Sequence, residues 1–256
     1  MLKDKVIIVT GGGAGIGWGI VRACGDAGAR VVLAQRSDSG RDKAEALVAN
    51  GHDVRFARLD VSKPDQIADF WEMIRTEYDR VDGLVNNAGV TIEADFFTFS
   101  AADLEMLWAT NQRSIFLMSQ EAARIMRKQG SGSIVNVSSN HGTASVPGYE
   151  AYAGTKGAIS AMTRGMALSL GPHGIRVNTL SPGLTHTESV AQVVEDKPGL
   201  QEVFSRLHPT RKWATVEEIG DLAVFMLSDK SGAITGTEIL ADHGLSAQLC
   251  KDDDLK

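Results

Sequence analysis

The start of this 256-residue chain decides its fold: residues 5–17 read KVIIVTGGGAGIG. Five residues of this stretch form a continuous apolar or β-branched run, which is typical of a strand buried on both faces of a parallel sheet. The glycine cluster ends that strand, and from Ile16 to Ala27 a helical pattern follows, closed by Gly28. A buried strand, a glycine turn and a helix together predict the first βα unit of a parallel sheet.

The same alternation of strand and helix continues along the chain. After the first strand, further strands are predicted at Arg30–Ala34, Val54–Leu59, Val81–Asn86, Gly132–Ser138, Ile175–Leu180 and Glu238–Leu240. Helices are predicted between them at about Gly40–Asn50, Pro64–Tyr78, Ala101–Lys128, Ala151–Leu170 and Val216–Leu227. This order predicts an α/β, doubly wound Rossmann-type fold, with about seven parallel strands and helices on both faces.

The domain organisation is simple, because no low-complexity linker or internal repeat divides the chain. A single dinucleotide-binding and catalytic domain over residues 1–256 is expected. The segment from Pro182 to Trp213 breaks the rhythm, being rich in histidine, proline and charge. We expect it to be irregular and to act as a substrate flap over about residues 183–213.

The glycine turn predicts a dinucleotide site. Glycines in a first βα turn let a pyrophosphate approach main-chain amides at the helix N-terminus, where the helix dipole favours anions. The glycines here are Gly11, Gly15 and Gly17, with Ile16 between the last two. This spacing differs from the strict GxGxxG pattern. The alternative is a turn whose glycines serve only close packing of strand and helix.

The end of the second predicted strand indicates which nucleotide is bound. In many such folds an acidic residue there binds the ribose hydroxyls of NAD. Here Gln35 occupies that place and Arg36 follows. A neutral residue beside a guanidinium suits the 2′-phosphate of NADP, so NADP(H) is favoured, and NAD(H) stays possible if Gln35 binds the ribose without discrimination.

A tyrosine and a lysine at the start of a predicted helix indicate acid/base chemistry. Tyr152 and Lys156 are four residues apart and therefore lie on one helix face. A free phenol has a pKa of about 10, and a nearby ammonium group with a positively charged nicotinamide would lower it. A single pair of this kind also occurs by chance on exposed helices.

Several further motifs occur in order along the chain, and together they resemble the short-chain dehydrogenase/reductase family in its single-domain form of about 250 residues. The matching residues are Thr10-Gly11…Gly15-Ile16-Gly17, Asp60-Val61, Asn86-Asn87-Ala88-Gly89, Asn111, Ser138-Ser139, Tyr152…Lys156, Asn178…Pro182-Gly183…Thr187, Ile234-Thr235-Gly236 and Asp242. The resemblance spans nearly the whole chain and implies an NAD(P)-dependent enzyme that interconverts a secondary alcohol and a ketone by hydride transfer.

The resemblance implies a catalytic set of Asn111, Ser139, Tyr152 and Lys156. Tyr152 would exchange a proton with the substrate oxygen, Ser139 would orient that oxygen, and Lys156 would hold the nicotinamide ribose and lower the Tyr152 pKa. Asn111, in the long helix after the fourth strand, would help organise a water-linked proton path to the lysine. Asn111 could equally be a buried helix asparagine that bonds local backbone.

The resemblance also implies which residues contact the cofactor. Besides the glycine turn, Gln35, Arg36, Tyr152 and Lys156, these are Asp60 and Val61 near the adenine, Asn87, Ala88 and Gly89 near the adenosine ribose, and Pro182, Gly183, Thr185 and Thr187 around the nicotinamide. For Asn86 a purely structural role between strands is the preferred interpretation.

The substrate is indicated only by polarity. Ser139, His141, Tyr149, Tyr152 and His186 are the candidate substrate-binding residues. Further polar or aromatic candidates are Glu93, Glu150, Glu188, His208, Arg211 and Trp213. These donors and acceptors suit a sugar or polyol, although each residue taken singly could be a solvated loop residue. The alternative substrate class is a 3-oxoacyl or other carbonyl compound reduced with NADPH.

Two departures from the common family pattern concern the pocket rather than the catalytic set. Asp242-His243-Gly244 replaces a more usual Asp-Gly-Gly, and Asn140-His141 follows the serine where small apolar residues are frequent.

Composition and charge exclude several other classes. The net charge of −6 gives no reason to expect nucleic acid, and no apolar run is long enough for a membrane span. The two cysteines, Cys24 and Cys250, do not have the spacing of a metal site or a disulfide framework. We therefore expect no bound metal and a cytoplasmic location. The resemblance implies a homotetramer through the helices Ala101–Lys128 and Ala151–Leu170.

Two other functions fit the sequence less well. A non-catalytic dinucleotide sensor on the same fold would have no need of Ser139, Tyr152 and Lys156. A methyltransferase with a similar glycine turn would not need the Tyr152/Lys156 pair.

Overall fold

A computed structural model describes residues 1–248 of the chain. Cys250 and the acidic run at residues 252–254 lie outside the described residues. The described strands are β1 Val6–Thr10, β2 Arg30–Gln35, β3 Asp53–Arg58, β4 Gly83–Asn86, β5 Gly132–Val137, β6 Ile175–Pro182, β7 Thr185–His186, β8 Ala214–Thr215 and β9 Glu238–Ala241. Seven of them form the main parallel sheet in the order β3-β2-β1-β4-β5-β6-β9, which confirms the predicted fold class.

Nine α-helices within the described residues cover both faces of the sheet. They are α1 Gly15–Asp26, α2 Ser39–Ala49, α3 Pro64–Glu77, α4 Ala101–Trp108, α5 Ser114–Gln129, α6 Glu150–Leu170, α7 Glu188–Asp196, α8 Leu200–Leu207 and α9 Val216–Leu227. One hydrophobic core contains α1 and α9 side chains, and the other contains α3 and α5 side chains. Every residue of β1 and β4 is buried, as strands covered on both faces require.

Close packing of α1 against α9 depends on glycine. A Cβ atom on Gly19 would lie 2.4 Å from the carbonyl oxygen of Val216, and one on Gly220 would lie 2.8 Å from the carbonyl oxygen of Gly19. Both distances are too short for a side chain. The two helices therefore cross backbone to backbone, and this fixes α1 and the turn that precedes it.

The strand order places the candidate site. β1 has β2 on one side and β4 on the other, so the chain reverses direction across the sheet between β1 and β4. In open α/β sheets, ligands bind in the crevice outside the carboxyl ends of the strands at such a point. The glycine turn after β1 and the residues after β4 both open onto this crevice.

Two predicted elements differ from the structure. The helix predicted over Ala101–Lys128 is divided into α4 and α5 by a π-turn at Ala109–Arg113. The segment over residues 183–213 is not irregular, because it contains β7, α7 and α8, and β7 pairs with β8 in a separate two-stranded parallel sheet. The expectation of an irregular flap was wrong: Thr187 caps the N-terminus of α7 through its side chain and starts a helix there.

Candidate active site

The glycine turn has backbone that only glycine adopts readily. Gly11 and Gly15 have φ of 65° and 50°, in the left-handed region. A Cβ on Gly17 would lie 2.2 Å from the carbonyl oxygen of Gly11, so close packing is part of its role. A Cβ on Gly15 would lie 3.3 Å from Thr187 Cγ2, which brings the N-terminus of α7 next to the turn.

Residues after β4 are bonded to the glycine turn. Asn87 Nδ2 donates to the carbonyl oxygens of Thr10 and Gly11 at 3.0 and 3.2 Å, and the amides of Asn87 and Ala88 donate to Thr10 Oγ1. The side chain predicted to contact the cofactor is therefore used in holding the two loops together. Asn86 bonds Ser119 Oγ and Asn136 Oδ1, which agrees with the structural role preferred for it.

The end of β2 carries a cluster of neutral polar groups. Gln35 Nε2 donates to Ser37 Oγ at 2.8 Å and to Ser39 Oγ at 3.0 Å, while Arg36 is exposed beside them. A Cβ on Gly13 would overlap the Gln35 side chain, so Gln35 lies over the glycine turn. Ser37 and Ser39 are not among the residues predicted from the sequence. The signal that could have identified them is a pair of hydroxyls at the start of α2, beside the predicted ribose position.

Asp60 and Val61 have mainly structural contacts. Asp60 Oδ1 accepts hydrogen bonds from the amide and hydroxyl of Ser62, and the Asp60 amide donates to Gln66 Oε1. Val61 is buried in the core beside α3. The carboxylate therefore shapes the turn that ends β3.

Tyr152, Ser139 and Thr91 come together at the carboxyl end of β5. Tyr152 lies in the first turn of α6, and Ser139 follows β5. Burial raises the pKa of Tyr152 above its ordinary value, and the neighbouring Ser139 and Thr91 side chains lower it by less than burial raises it. Thr91 is not predicted from the sequence, because it belongs to no motif and comes close to Tyr152 only through the fold.

Lys156 and Asn111 lie deeper, behind Tyr152. Lys156 Nζ donates to the carbonyl oxygen of Val137 at 3.1 Å and lies 5.5 Å from the centre of the Tyr152 ring. Burial lowers the pKa of Lys156 from 10.5 to about 8. A Cβ on Gly89 would lie 3.7 Å from Lys156 Nζ and 3.3 Å from Asn111 Oδ1, so the space above the lysine faces Gly89.

In the protein without a nucleotide, burial is the largest influence on the pKa of Tyr152. The ammonium group of Lys156 is itself desolvated and bonds a backbone carbonyl rather than the phenol.

Asn111 lies within the π-turn and is fully buried. Its Oδ1 accepts from the amide of Val90 at 2.8 Å, and its Nδ2 donates to the carbonyl oxygen of Val90 and, at 3.3 Å, to Thr155 Oγ1. Asn111 thus joins the loop after β4 to α6, which carries the tyrosine and lysine.

The candidate substrate residues separate into two groups. His141 and Tyr149 surround Tyr152, with ring centres 5.6 and 6.3 Å from the Tyr152 ring, and Glu93 accepts a hydrogen bond of 2.7 Å from the Tyr149 hydroxyl. Glu150 is exposed at the start of α6 and accepts from the amide of Gly148.

The flap candidates form a second group, and no described contact joins them to Tyr152. His186 packs against Trp213, while Glu188 pairs with Lys43 on α2. Arg211 is exposed with φ of 58°. His208 is buried and its Nδ1 lies 2.7 Å from the carbonyl oxygen of Phe204, so it packs within the segment over residues 183–213.

The segment that departs from the usual Asp-Gly-Gly makes contacts within the protein. His243 Nδ1 lies 3.0 Å from Thr210 Oγ1 and its Nε2 lies 3.4 Å from Glu218 Oε2. Asp242 is buried and accepts from the amides of Gly244 and Ser246. Burial raises the pKa of Asp242, but these hydrogen bonds outweigh burial and bring the pKa below its ordinary value. A Cβ on Gly183 would lie 2.5 Å from Asp242 Cβ, so the residue sets the position of the chain just after β6.

Comparison with known proteins identifies the family of this chain. A family model described as enoyl-(acyl carrier protein) reductase matches residues 11–246. The chain belongs to the short-chain dehydrogenase/reductase family. It is an oxidoreductase acting on CH–OH groups, which removes the non-catalytic sensor and the methyltransferase from consideration.

Three relatives show how far the similarity extends. A gluconate 5-dehydrogenase of Gluconobacter oxydans (strain 621H) is 34% identical over 249 residues, covering 97% of each chain. The carbonyl reductase [NADPH] 2 of Sus scrofa is 37% identical over 246 residues, covering 94% of this chain and 96% of the relative. The crystal structure of a gluconate 5-dehydrogenase from Burkholderia cenocepacia J2315 in complex with NADP and tartrate has a TM-score of 0.91, 28% identity and 97% coverage of each chain.

The residues present fit a nicotinamide dinucleotide. Among the described residues the buried Lys156 ammonium has one hydrogen-bond acceptor, Val137 O, and an ammonium carries three donors. Two donors remain for hydroxyl groups of a ribose. The glycine turn and the adjoining polar cluster at Gln35 extend the same crevice toward the edge of the sheet.

Proposed function

We propose that this dehydrogenase interconverts a secondary alcohol and a ketone on a small hydroxylated compound, such as a sugar or polyol, and that NADP(H) is its preferred nucleotide. The observation that carries the proposal is the convergence of Tyr152, Ser139 and the buried Lys156 at the carboxyl ends of the strands, beside the glycine turn. When bound there, the nicotinamide supplies or accepts the hydride at the substrate carbon.

In this mechanism, Tyr152 moves the proton. In ketone reduction the protonated phenol gives its proton to the carbonyl oxygen, and in alcohol oxidation the phenolate accepts it. Ser139 donates a hydrogen bond to the same oxygen and so fixes it beside the phenol. Lys156 holds the nicotinamide ribose and places a positive charge next to Tyr152, which stabilises the phenolate whenever it forms.

Asn111 is assigned a positioning role. It holds the loop after β4 against α6 through both backbone groups of Val90 and through Thr155. This keeps Gly89 beside Lys156 and leaves room for a water-linked path to the ammonium. The remaining cofactor contacts proposed from the sequence are the backbone at Gly11 to Gly17, Asp60 and Val61, Asn87 to Gly89, and Pro182, Gly183, Thr185 and Thr187.

The preference for NADP(H) rests on the polar cluster after β2. Gln35, Ser37 and Ser39 provide neutral donors, and the exposed Arg36 provides the charge that a 2′-phosphate requires. The last residue of β2 is Gln35, which carries no negative charge. A 2′-phosphate would therefore not be repelled at that position.

The proposal for the nucleotide is tested by titrating purified protein with NADPH and NADH, following nicotinamide fluorescence, in the wild type and in Arg36→Glu. We expect NADPH to bind at least tenfold more tightly, about 1.4 kcal/mol, and the variant to lose that preference. Equal or tighter binding of NADH by the wild type would refute the assignment of Arg36.

The proposal of a hydroxylated substrate rests on the polar atoms around Tyr152: Asn140 Oδ1, the imidazole of His141, the Tyr149 hydroxyl and the Glu93 carboxylate. The relatives named gluconate 5-dehydrogenase agree with this class. The second candidate, reduction of a simpler carbonyl compound with NADPH, is favoured by the similarity to carbonyl reductase [NADPH] 2.

A homotetramer and a cytoplasmic location complete the proposal. A groove of about 940 Å³ lies between α5 and α6, and Trp108, Phe116 and Leu168 are exposed on the helices α4 to α6. Exposed apolar surface of this kind favours association. Within residues 1–248, no helix is long and apolar enough to cross a membrane. Sedimentation of wild type and Phe116→Asp tests the assembly, which the charge should weaken.

A further inference from the structure

The loop after β4 and the start of α6 lie side by side and are joined by two hydrogen bonds next to the Tyr152 phenol. Thr91, in this loop, lies close enough to the phenol to affect its pKa. Two residues later, Glu93 Oε2 accepts a hydrogen bond of 2.7 Å from the Tyr149 hydroxyl. The amide of Ala94 then donates to the carbonyl oxygen of Gly148 at 3.1 Å. The Glu93–Tyr149 pair therefore lies beside the Tyr152 phenol.

Ring contacts connect this pair to the group that handles the reacting oxygen. The Tyr149 ring lies 6.3 Å from the Tyr152 ring, and the His141 ring lies 4.8 Å from the Tyr149 ring. His141 is held by Ser145 Oγ, 3.0 Å from its Nδ1. A substrate whose oxygen contacts Tyr152 is thus bordered by Tyr149, with Glu93 directly beyond it.

The chemistry of the pair suits a hydroxyl group. A carboxylate offers about four acceptor sites, and Tyr149 uses one of those on Glu93. Within residues 1–248, no cation forms an ion pair with Glu93, and its side chain is exposed, so its remaining acceptor sites are open. The single phenol proton of Tyr149 is given to Glu93, so the Tyr149 oxygen can act only as an acceptor toward a ligand. A substrate hydroxyl can donate to a Glu93 carboxylate oxygen or to the Tyr149 oxygen, whereas a methyl or methylene group can donate to neither.

Resting on the proposed function, we propose that Glu93 and Tyr149 bind a hydroxyl on the carbon next to the reacting carbon. The substrate class is then an α-hydroxy ketone, or the vicinal diol formed from it, in preference to a simple ketone. Glu93 is the specificity-determining residue, and Tyr149 orients its carboxylate.

The test compares acetoin with 2-butanone, which differ by one hydroxyl beside the carbonyl group. Reduction with NADPH is followed for the wild type, Glu93→Gln, Tyr149→Phe and the control Glu72→Gln, which removes an exposed carboxylate on α3. We expect wild type and control to have a kcat/KM at least tenfold higher for acetoin. Glu93→Gln should lose most of that ratio, because its KM for acetoin should rise much more than its KM for 2-butanone, and Tyr149→Phe should lose part of it.

Three other results would each contradict a different part of this reasoning. Equal kcat/KM for the two ketones in the wild type would overturn the inference while leaving the proposed function intact. An equal loss with both ketones in Glu93→Gln would overturn it as well, since that marks a structural role. Turnover of neither ketone nor any alcohol with either nucleotide would overturn the proposed function itself.

Discussion

Replacing the buried lysine is expected to make the protein more stable while it abolishes activity. Burial lowers the pKa of Lys156 from 10.5 to about 8. Since each pKa unit is worth about 1.36 kcal/mol, charging Lys156 inside the fold costs about 3 kcal/mol. In Lys156→Met the carbonyl oxygen of Val137 loses a hydrogen bond, which subtracts about 1 kcal/mol. The net gain in the free energy of unfolding is about 2 kcal/mol, or about 5 °C in Tm.

The pH dependence of this gain separates charge burial from other causes. A lysine whose folded pKa is lowered carries its full penalty below the folded pKa of about 8, and the penalty disappears as the pH rises toward 10.5. The advantage of Lys156→Met should therefore be largest at neutral pH and should shrink above about pH 8. Such a gain would mean that the site gives up stability for function.

The assay is urea unfolding of the cofactor-free protein at neutral and alkaline pH. Two controls accompany it: Lys156→Arg, which keeps a buried charge, and Lys3→Met, which removes an exposed lysine. Neither control should gain stability. The reasoning is refuted if Lys156→Met is no more stable than wild type at neutral pH, or if its advantage does not change with pH.

Three further predictions concern the glycine turn, the phenol and the positioning asparagine. Gly17→Ala should weaken NADPH binding at least tenfold in fluorescence titration, because its Cβ would lie 2.2 Å from the Gly11 carbonyl oxygen. The control Gly25→Ala, in the same helix, should bind NADPH normally, and equal affinities of the two variants would contradict the prediction. Because burial raises the pKa of Tyr152, kcat/KM for ketone reduction should stay level through neutral pH and fall at alkaline pH, whereas kcat/KM for alcohol oxidation should rise with pH. A fall of the reduction rate as the pH drops below neutral would contradict the assignment of Tyr152 as the proton donor. Asn111→Ala should lower the free energy of unfolding by about 3 kcal/mol, because both backbone groups of Val90 lose their partner, and a change under about 1 kcal/mol in denaturant unfolding would contradict that reading.

The sheet was predictable because its strands carry their own signal. The runs at β1, β2, β4 and β5 are apolar enough to be buried on both faces, and glycines or polar residues end them. The candidates Ser139, Tyr152 and Lys156 could be proposed from the sequence because they lie at one strand end and on one helix. These are features that short stretches of sequence determine by themselves.

The elements that sequence analysis missed depend on distant contacts. The π-turn between α4 and α5 occurs where Asn111 bonds Val90, which comes from the loop after β4. Thr91 meets Tyr152 only because that loop packs against α6. The flap helices did leave a local signal, a threonine cap at Thr187 before apolar residues at helical spacing, but proline, histidine and charge in the segment obscured it.

Tyr152→Phe tests the central claim most directly. The variant keeps the ring and loses only the hydroxyl, so NADPH titration shows whether the site is intact and acetoin reduction shows whether the proton donor is gone. We expect unchanged NADPH affinity and a kcat lowered about 10³-fold, within the range that acid/base catalysis contributes. Turnover retained within tenfold of wild type, with NADPH still bound, would contradict the assignment of Tyr152 as the acid/base.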